Sequence, residues 1–169
     1  GMNVHIAGVG GDDGFGEQIR AFFSAENIDT SGVKVRRHKQ SQFAFIVSEP
    51  SLARRTIFWR RPTGEPLQPK EINTDILLKS AALHIDGLFP EASLYACRKA
   101  KANGIPVILD AGTLREGMLD IARLSDCVIT SEVSSNAFAE TPQETCVKLA
   151  GNPVGRRIEH LEILLSRLP

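Results

Sequence analysis

Acidic residues stand near the carboxyl ends of three short apolar runs in the chain. They are Asp86 in residues 82–87, Asp110 in residues 105–112 and Glu132 in residues 126–132. Segments of helix length separate the runs, and this alternation predicts an α/β fold with a parallel sheet. Because parallel strands end at the same edge of a sheet, we expect the three carboxylates to face one ligand crevice. One alternative stays open, since an acidic residue after a strand is also a common N-cap of the next helix.

The composition argues against several classes of protein and of binding partner. A chain of 169 residues has room for one domain with its own core. Twenty basic residues balance twenty acidic ones without a long run of either sign, so we expect no nucleic-acid partner. No apolar run approaches the roughly 20 residues that span a bilayer, so we expect no membrane partner. Three cysteines without metal spacing indicate reduced thiols, no structural zinc and a cytoplasmic location.

The first 60 residues change their hydrophobic period twice. Residues 3–8 alternate as a strand that breaks into a glycine turn, and the following helix carries Ile19, Phe22 and Phe23 as one apolar stripe for the sheet. From residue 33 to residue 60 the period is two, which predicts antiparallel strands joined by short turns. The many polar alternates in this stretch favour a flap or lid against the main sheet.

Regular alternation of strands and helices is expected in the remainder. Pro90 begins one predicted helix and Gly104 ends it. The predicted second helix has the apolar positions Leu114, Met118, Ile121 and Leu124. A third helix is expected over residues 142–150, and an amphipathic one over residues 156–168. His84 alternates with apolar neighbours, so we expect it to be a packed or hydrogen-bonded histidine of the core.

Residues 9–16, Val-Gly-Gly-Asp-Asp-Gly-Phe-Gly, resemble the V-G-x-D-x-F-G segment of the ribokinase-like (PfkB) carbohydrate kinase family. Five further segments follow in the family's order, at residues 43–46, 55–60, 83–87, 109–115 and 125–132. The resemblance implies a three-layer α/β sandwich with a mainly parallel sheet and a small β flap. It also implies phosphoryl transfer from ATP to a hydroxyl of a small sugar or sugar acid, with ATP and Mg²⁺ as cofactors.

The same resemblance implies roles for individual residues. The implied sugar-binding residues are Ala44 and Ile46 in the flap, the aromatic–arginine pair Trp59 and Arg60, and Asp86, Asp110 and Arg115 at strand ends. Ser131 and Glu132 occupy the region that organises magnesium and phosphate in many members. Departures occur here, since Gly112 and Ser131 replace asparagines of the family pattern and Ser134 replaces a glutamate.

The resemblance covers residues 2–150, with the flap at about residues 33–60, and leaves residues 151–169 as a divergent amphipathic helix. The family's Gly-Gly-Asn motif and its G-A-G-D motif, which supplies an anion hole and a catalytic base, do not occur in this sequence. We therefore expect a truncated sugar-kinase homologue with negligible activity as an isolated chain. The alternatives are an enzyme completed by a second copy, as a homodimer paired through the flap, and a non-catalytic sugar-binding or assembly module.

Overall fold

Two units, residues 1–67 and residues 68–169, make up the chain. The structure, a computed structural model, describes residues 3–52, 54–112, 115–130 and 144–145. Within these ranges no helix has both the length and the apolar character needed to cross a membrane. Most of the helix expected over residues 142–150, and all of the one expected over residues 156–168, lie outside the described residues.

The first unit opens with two parallel strands joined by a helix. Strand β1 covers His5–Gly11, helix α1 covers Gly14–Ala25 and strand β2 covers Asp29–Arg36. Asp13 is the N-cap of α1, and its carboxylate accepts a hydrogen bond from the backbone N–H of Gly16 at 3.0 Å. The glycines expected to form a turn therefore lie inside β1, and the turn comes after them.

Two further expectations for this unit are wrong. Residues 33–36 belong to β2 and run parallel to β1, so the antiparallel pairing starts at Phe43. A period of two is common to parallel and antiparallel strands, and here the crossover through α1 makes the pair parallel. The apolar stripe of α1 is also largely uncovered, with Phe22 63% and Ile19 39% exposed. In the part of the chain that the structure describes, the sheet beside it has two strands, and β1 carries three glycines, so it offers little apolar surface.

An antiparallel hairpin follows in the same unit. Strand β3 covers Phe43–Glu49, a 3-10 turn covers Pro50–Leu52, and strand β4 covers Arg54–Arg60. The two strands pair without a bulge, from Phe43 opposite Arg60 to Glu49 opposite Arg54. This hairpin confirms the small β flap. Apart from the half-buried Phe43, the side chains of both strands are exposed.

The second unit contains the predicted alternation of strands and helices. Its elements are a 3-10 turn at Pro69–Glu71, α2 at Thr74–Leu78, β5 at Leu83–Ile85, α3 at Pro90–Ala102, β6 at Val107–Asp110, α4 at Met118–Leu124 and β7 at Cys127–Ile129. The three strands form one parallel sheet in the order β5-β6-β7. This arrangement confirms the α/β class. Pro90 and Gly104 bound α3 as expected, and Leu114 lies outside the described residues.

The core of the second unit lies between this sheet and the helices α3 and α4. Its fully buried side chains include Leu109, Met118, Ile121 and Cys97. Burying a side chain of the size of leucine stabilises a fold by about 1.5–3 kcal/mol. Burial also raises the pKa of the Cys97 thiol to about 11, so this thiol stays protonated and packs as a small apolar group.

The opposite face of the sheet explains why the expectation for His84 is wrong. The strand register places His84, Ile108 and Cys127 side by side on this face. His84 is exposed there, and its two neighbours are half-buried. The core residues Val107 and Leu109 alternate with Ile108 along β6 and point to the helix-covered face. The sequence of a strand of only three residues does not reveal which face of the strand the helices cover.

Candidate functional site

Two carboxylates end adjacent strands of the second unit. Ile85 pairs with Leu109 in the parallel ladder, so the next residues along the chain, Asp86 and Asp110, lie at the same level of the sheet. Both side chains are exposed. The structure therefore brings Asp86 and Asp110 to one edge, as the sequence predicts, while Glu132 lies outside the described residues.

Each aspartate also shapes its own loop. Asp86 Oδ1 accepts a hydrogen bond from the backbone N–H of Leu88, and Asp110 Oδ1 accepts one from that of Gly112, both at 2.9 Å. Such bonds form Asx turns, which reverse the chain after a strand. Neither aspartate is the N-cap of a helix, because α3 and α4 begin after other residues. The capping alternative is therefore wrong for both.

Gly87 allows the chain to turn at Asp86. It is buried, and its φ of +69° lies in the left-handed region that favours glycine. A Cβ atom at this position would lie 2.7 Å from Met118 Cε and 2.9 Å from Met118 Sδ. Sequence reasoning did not single out this glycine, although glycine directly after a strand-end aspartate is a recognisable turn signal.

Arg115 and Thr130 complete the described part of this edge. The half-buried Arg115 donates a hydrogen bond from Nη1 to the backbone carbonyl of Asp86 at 3.2 Å. Thr130 is buried, and its hydroxyl lies 3.4 Å from the backbone carbonyl of Ala111, to which it donates. The sequence predicts Arg115 at this edge but gives no signal for Thr130. Carboxylate acceptors beside a guanidinium donor suit a ligand with many hydroxyl groups.

The hairpin of the first unit distributes its candidate residues over two faces. Residues directly opposite each other in an antiparallel ladder share a face, so Ala44, Ile46 and Trp59 lie together. Arg60 is opposite Phe43 and therefore lies on the other face. The guanidinium of Arg61, rather than that of Arg60, lies over the Trp59 ring, 5.4 Å from its centroid.

The residues implied in magnesium and phosphate binding, Ser131 and Glu132, lie outside the described residues. In the described ranges, no group of three or more His, Cys, Asp or Glu side chains is placed to hold a metal ion. The structure therefore describes two separate candidate surfaces. One is the edge formed by Asp86, Asp110 and Arg115 in the second unit, and the other is the hairpin face that carries Trp59 in the first unit.

The fold and this edge define a class of protein: an α/β chain with parallel strands whose polar ends suit a small, hydroxyl-rich ligand. The family model of the pfkB family carbohydrate kinases matches residues 1–163, and the chain belongs to that family. The predicted resemblance is thus confirmed. Kinases of this family bind ATP and Mg²⁺.

Individual relatives agree with this assignment. The chain is 24% identical over 149 residues to a protein of Arabidopsis thaliana named probable fructokinase-7, an alignment that covers 78% of this chain and 43% of the relative. A PfkB protein from Polaromonas sp. JS666 has a similar structure, with a TM-score of 0.72 and 22% identity over 88% of this chain and 57% of that one.

A protein from E. coli named putative ribokinase II, solved in complex with ATP and Mg²⁺, also has a TM-score of 0.72. It is 20% identical to this chain, and the match covers 88% of this chain and 53% of the E. coli protein. These likenesses establish the ribokinase-like fold. The chain spans about half the length of the relatives that it matches.

Proposed function

We propose that this chain provides the sugar-contacting part of an ATP-dependent sugar kinase, which transfers a phosphoryl group to a sugar hydroxyl. The observation that carries the proposal is the edge at which Asp86 and Asp110 end adjacent strands with Arg115 bonded beside them. Membership of the carbohydrate kinase family and the likeness to a protein named fructokinase support a sugar as the ligand.

At this edge the sugar is held through its hydroxyl groups. Each carboxylate uses Oδ1 in its own turn, and we assign its second oxygen, Oδ2, to accept an O–H hydrogen bond from the sugar. A carboxylate acceptor makes a stronger hydrogen bond than a neutral one, and the guanidinium of Arg115 can donate only. The edge therefore distinguishes a ligand with vicinal hydroxyl groups from an apolar one.

The hairpin face formed by Ala44, Ile46 and Trp59 offers a different kind of contact. Its residues are apolar or aromatic and exposed, and Trp59 presents 41% of its surface. The C–H face of a sugar ring is itself apolar, so it gains by burial against an aromatic ring. We assign these three residues to that contact.

The transfer itself forms a bond between the sugar hydroxyl oxygen and the γ-phosphorus of ATP. The bond from that phosphorus to the bridging oxygen breaks, this oxygen leaves with ADP, and the hydroxyl proton is released to solvent. Proteins promote this step mainly by positioning and by stabilising charge. In our proposal the three residues of the edge position the hydroxyl-bearing carbon. Ser131 and Glu132 are proposed for the phosphate and magnesium, and no described residue is assigned to either.

Calorimetric titration with a panel of hexoses, pentoses and sugar acids tests the proposal. Asp110→Asn keeps Oδ1 for the turn but removes the charge, so we expect the affinity for the bound sugar to fall about tenfold or more. Asp120→Asn is the matched control, because Asp120 is exposed on α4 and its partner in the described ranges is Arg123, 2.8 Å away. Equal affinities of the two variants for every bound sugar would contradict the proposed site.

Release of ADP in the presence of ATP, Mg²⁺ and the bound sugar distinguishes the activities. A rate proportional to protein concentration indicates a kinase, and a rate that rises with the square of the concentration indicates an enzyme completed by a second copy. Sugar binding without ADP release indicates a sugar-binding module.

We also propose that two copies pair through the hairpin face that carries Phe45, Phe58 and Val47. These side chains are 46–59% exposed, and the two phenylalanine rings lie 6.3 Å apart. An exposed aromatic patch of this kind is typical of a protein interface. Sedimentation velocity is expected to show a dimer that Phe58→Ser converts to a monomer. A monomeric parent chain would contradict this pairing.

A further inference from the structure

The glycine- and aspartate-rich segment at residues 10–16 has no part in the site described above, yet its Asp13 side chain makes several hydrogen bonds. Asp13, besides capping α1, accepts hydrogen bonds at Oδ2 from the backbone N–H of Ser41 at 3.0 Å and at Oδ1 from the Ser41 hydroxyl at 2.6 Å. The Ser41 oxygen in turn accepts from the backbone N–H of Gly11 at 2.9 Å. Ser41 is only 1% exposed and stands two residues before β3.

A backbone hydrogen bond from His38 is the main cause that lowers the pKa of the neighbouring Asp12 carboxylate. His38 has a φ of 56°, an uncommon conformation for a residue with a side chain, so the loop is held in a specific bend. The hydrogen bond from the Ser41 hydroxyl likewise lowers the pKa of Asp13.

Close packing explains two of the four glycines of the segment, Gly11 and Gly16. A Cβ atom on Gly11 would overlap the backbone carbonyl of Lys39, and one on Gly16 would lie 2.7 Å from Ser41 Oγ. Only residues without a side chain allow β1, α1 and the loop at 38–41 to approach this closely. In this chain, residues 10–16, which resemble a family motif, therefore pack against and bind the residues that lead into the hairpin.

The other end of the hairpin is tied to the same loop. Gln40 donates its backbone N–H to Thr63 Oγ1 at 2.9 Å, and Thr63 donates its backbone N–H to the carbonyl of Gln40 at 3.1 Å. Arg36 donates to the backbone carbonyls of Glu65 and Pro66 at 3.0 and 3.2 Å. Both chain segments that enter and leave the hairpin are therefore fixed at one base.

Beyond this base the hairpin has little support within the first unit. The strands β3 and β4 pair with each other, and their side chains beyond Phe43 are exposed. The one ring contact with α1 is that of Phe43 with Phe15, 4.9 Å between centroids. The direction in which the hairpin projects is therefore set mainly by the hydrogen bonds at its base.

We propose that Asp13 and Ser41 form an anchor that positions the hairpin for sugar binding. These are positioning residues, which act through the hairpin rather than on the sugar itself. The inference rests on the proposed function for its consequence in binding. The structural part of the inference is that the anchor controls the motion of the hairpin. This part can be tested without measuring sugar binding or kinase activity.

Ser41→Ala in the full chain removes the central hydroxyl and leaves the Gly11 N–H without its partner. Hydrogen exchange followed by mass spectrometry is expected to become about tenfold faster or more in peptides covering residues 38–60. The chain has a single tryptophan, Trp59, which lies on the hairpin, so its fluorescence anisotropy reports motion of that element. We expect this anisotropy to fall in Ser41→Ala.

Ser125→Ala is the matched control. Ser125 is 2% exposed, and its hydroxyl donates to the backbone carbonyl of Ile121 at 2.9 Å in the second unit. This variant also loses a buried serine hydroxyl, but exchange over residues 38–60 and the Trp59 anisotropy should stay at their parent values. Equal changes in the two serine variants, or no change in Ser41→Ala, would overturn the anchor.

Asp13→Ser provides a second test should Ser41→Ala fail to fold. Serine is itself a good N-cap, so α1 keeps its cap, but a single hydroxyl cannot replace the two carboxylate oxygens that hold Ser41. We expect faster exchange over residues 38–60 with unchanged exchange over residues 14–25. Faster exchange confined to residues 14–25 would show that Asp13 acts only as a cap.

Sugar-binding affinity tests whether the anchor matters for the proposed function. With the sugar found in the titration above, Ser41→Ala should weaken sugar binding about tenfold, whereas Ser125→Ala should leave it unchanged. An unchanged affinity together with a mobile hairpin would refute the positioning role but not the anchor. Absence of sugar binding in the parent chain would refute the proposed function and leave the exchange result to decide the anchor.

Discussion

Gly87→Ala provides a direct test of how the edge at Asp86 is built. Gly87 has a φ of +69°, and a Cβ atom there would lie 2.7 Å from Met118 Cε in the core. Gly104 has the same φ of +69° at the end of α3, but a Cβ atom there has no heavy atom within 4 Å. The two positions share the backbone conformation and differ in the space around it, so Gly104→Ala is the matched control.

The expected magnitudes follow from these contacts. A left-handed alanine costs about 1–2 kcal/mol, and this cost applies to both variants. Forcing an extra carbon against the buried Met118 adds about 1–3 kcal/mol of overpacking to Gly87→Ala alone. Gly87→Ala should therefore lower the free energy of unfolding by about 2–5 kcal/mol, and Gly104→Ala by about 1–2 kcal/mol.

Urea unfolding followed by circular dichroism measures both values. With a slope of about 1–2 kcal/mol per molar urea, the midpoint of Gly87→Ala should lie about 1 M below that of Gly104→Ala. Met118→Leu removes Cε with little change in volume, so it should reduce the additional cost of Gly87→Ala. Equal midpoints for the two alanine variants would refute the argument, because Met118 would then have moved aside without cost.

Two further predictions concern stability. In the folded chain, the hydrogen bond from the Ser31 backbone and that from His5, 3.0 Å away, lower the pKa of Asp29 from 3.8 to about 2. The stabilising contribution of the Asp29 carboxylate is therefore present above about pH 4 and is lost as the pH falls toward 2. In urea titrations at several pH values, Asp29→Asn should weaken the dependence of the free energy of unfolding on pH between 5 and 2. An unaltered dependence would contradict that role. Leu109→Ala should lower the free energy of unfolding by about 2–5 kcal/mol, because Leu109 is fully buried in β6, and a loss below about 1 kcal/mol would contradict the described core.

The second unit could be predicted largely from its sequence, because local patterns dictate it. Short apolar runs, Pro90 at the start of α3 and Gly104 after its end specify β5, α3 and β6 without reference to distant residues. The adjacency of Asp86 and Asp110 follows from the parallel order alone. The exposure of His84 does not, because it depends on which face of the sheet the helices cover.

The first unit was less predictable because its structure depends on contacts between residues far apart in sequence. A period of two gave no sign that β2 is parallel to β1. The hydrogen bonds between Asp13 and Ser41 join residues 28 positions apart. The position of Arg61 over Trp59 results from side-chain placement at the end of β4, which an alternating pattern does not describe.

Fluorescence titration of the full chain with the sugar panel tests the central claim most directly. Trp59 is the only tryptophan in the sequence, and we assign it to the sugar contact. The account predicts a saturable change in Trp59 emission with at least one sugar, and a shift of that titration to about tenfold higher sugar concentration in Asp110→Asn. A folded chain whose emission responds to no sugar in the panel would contradict the account.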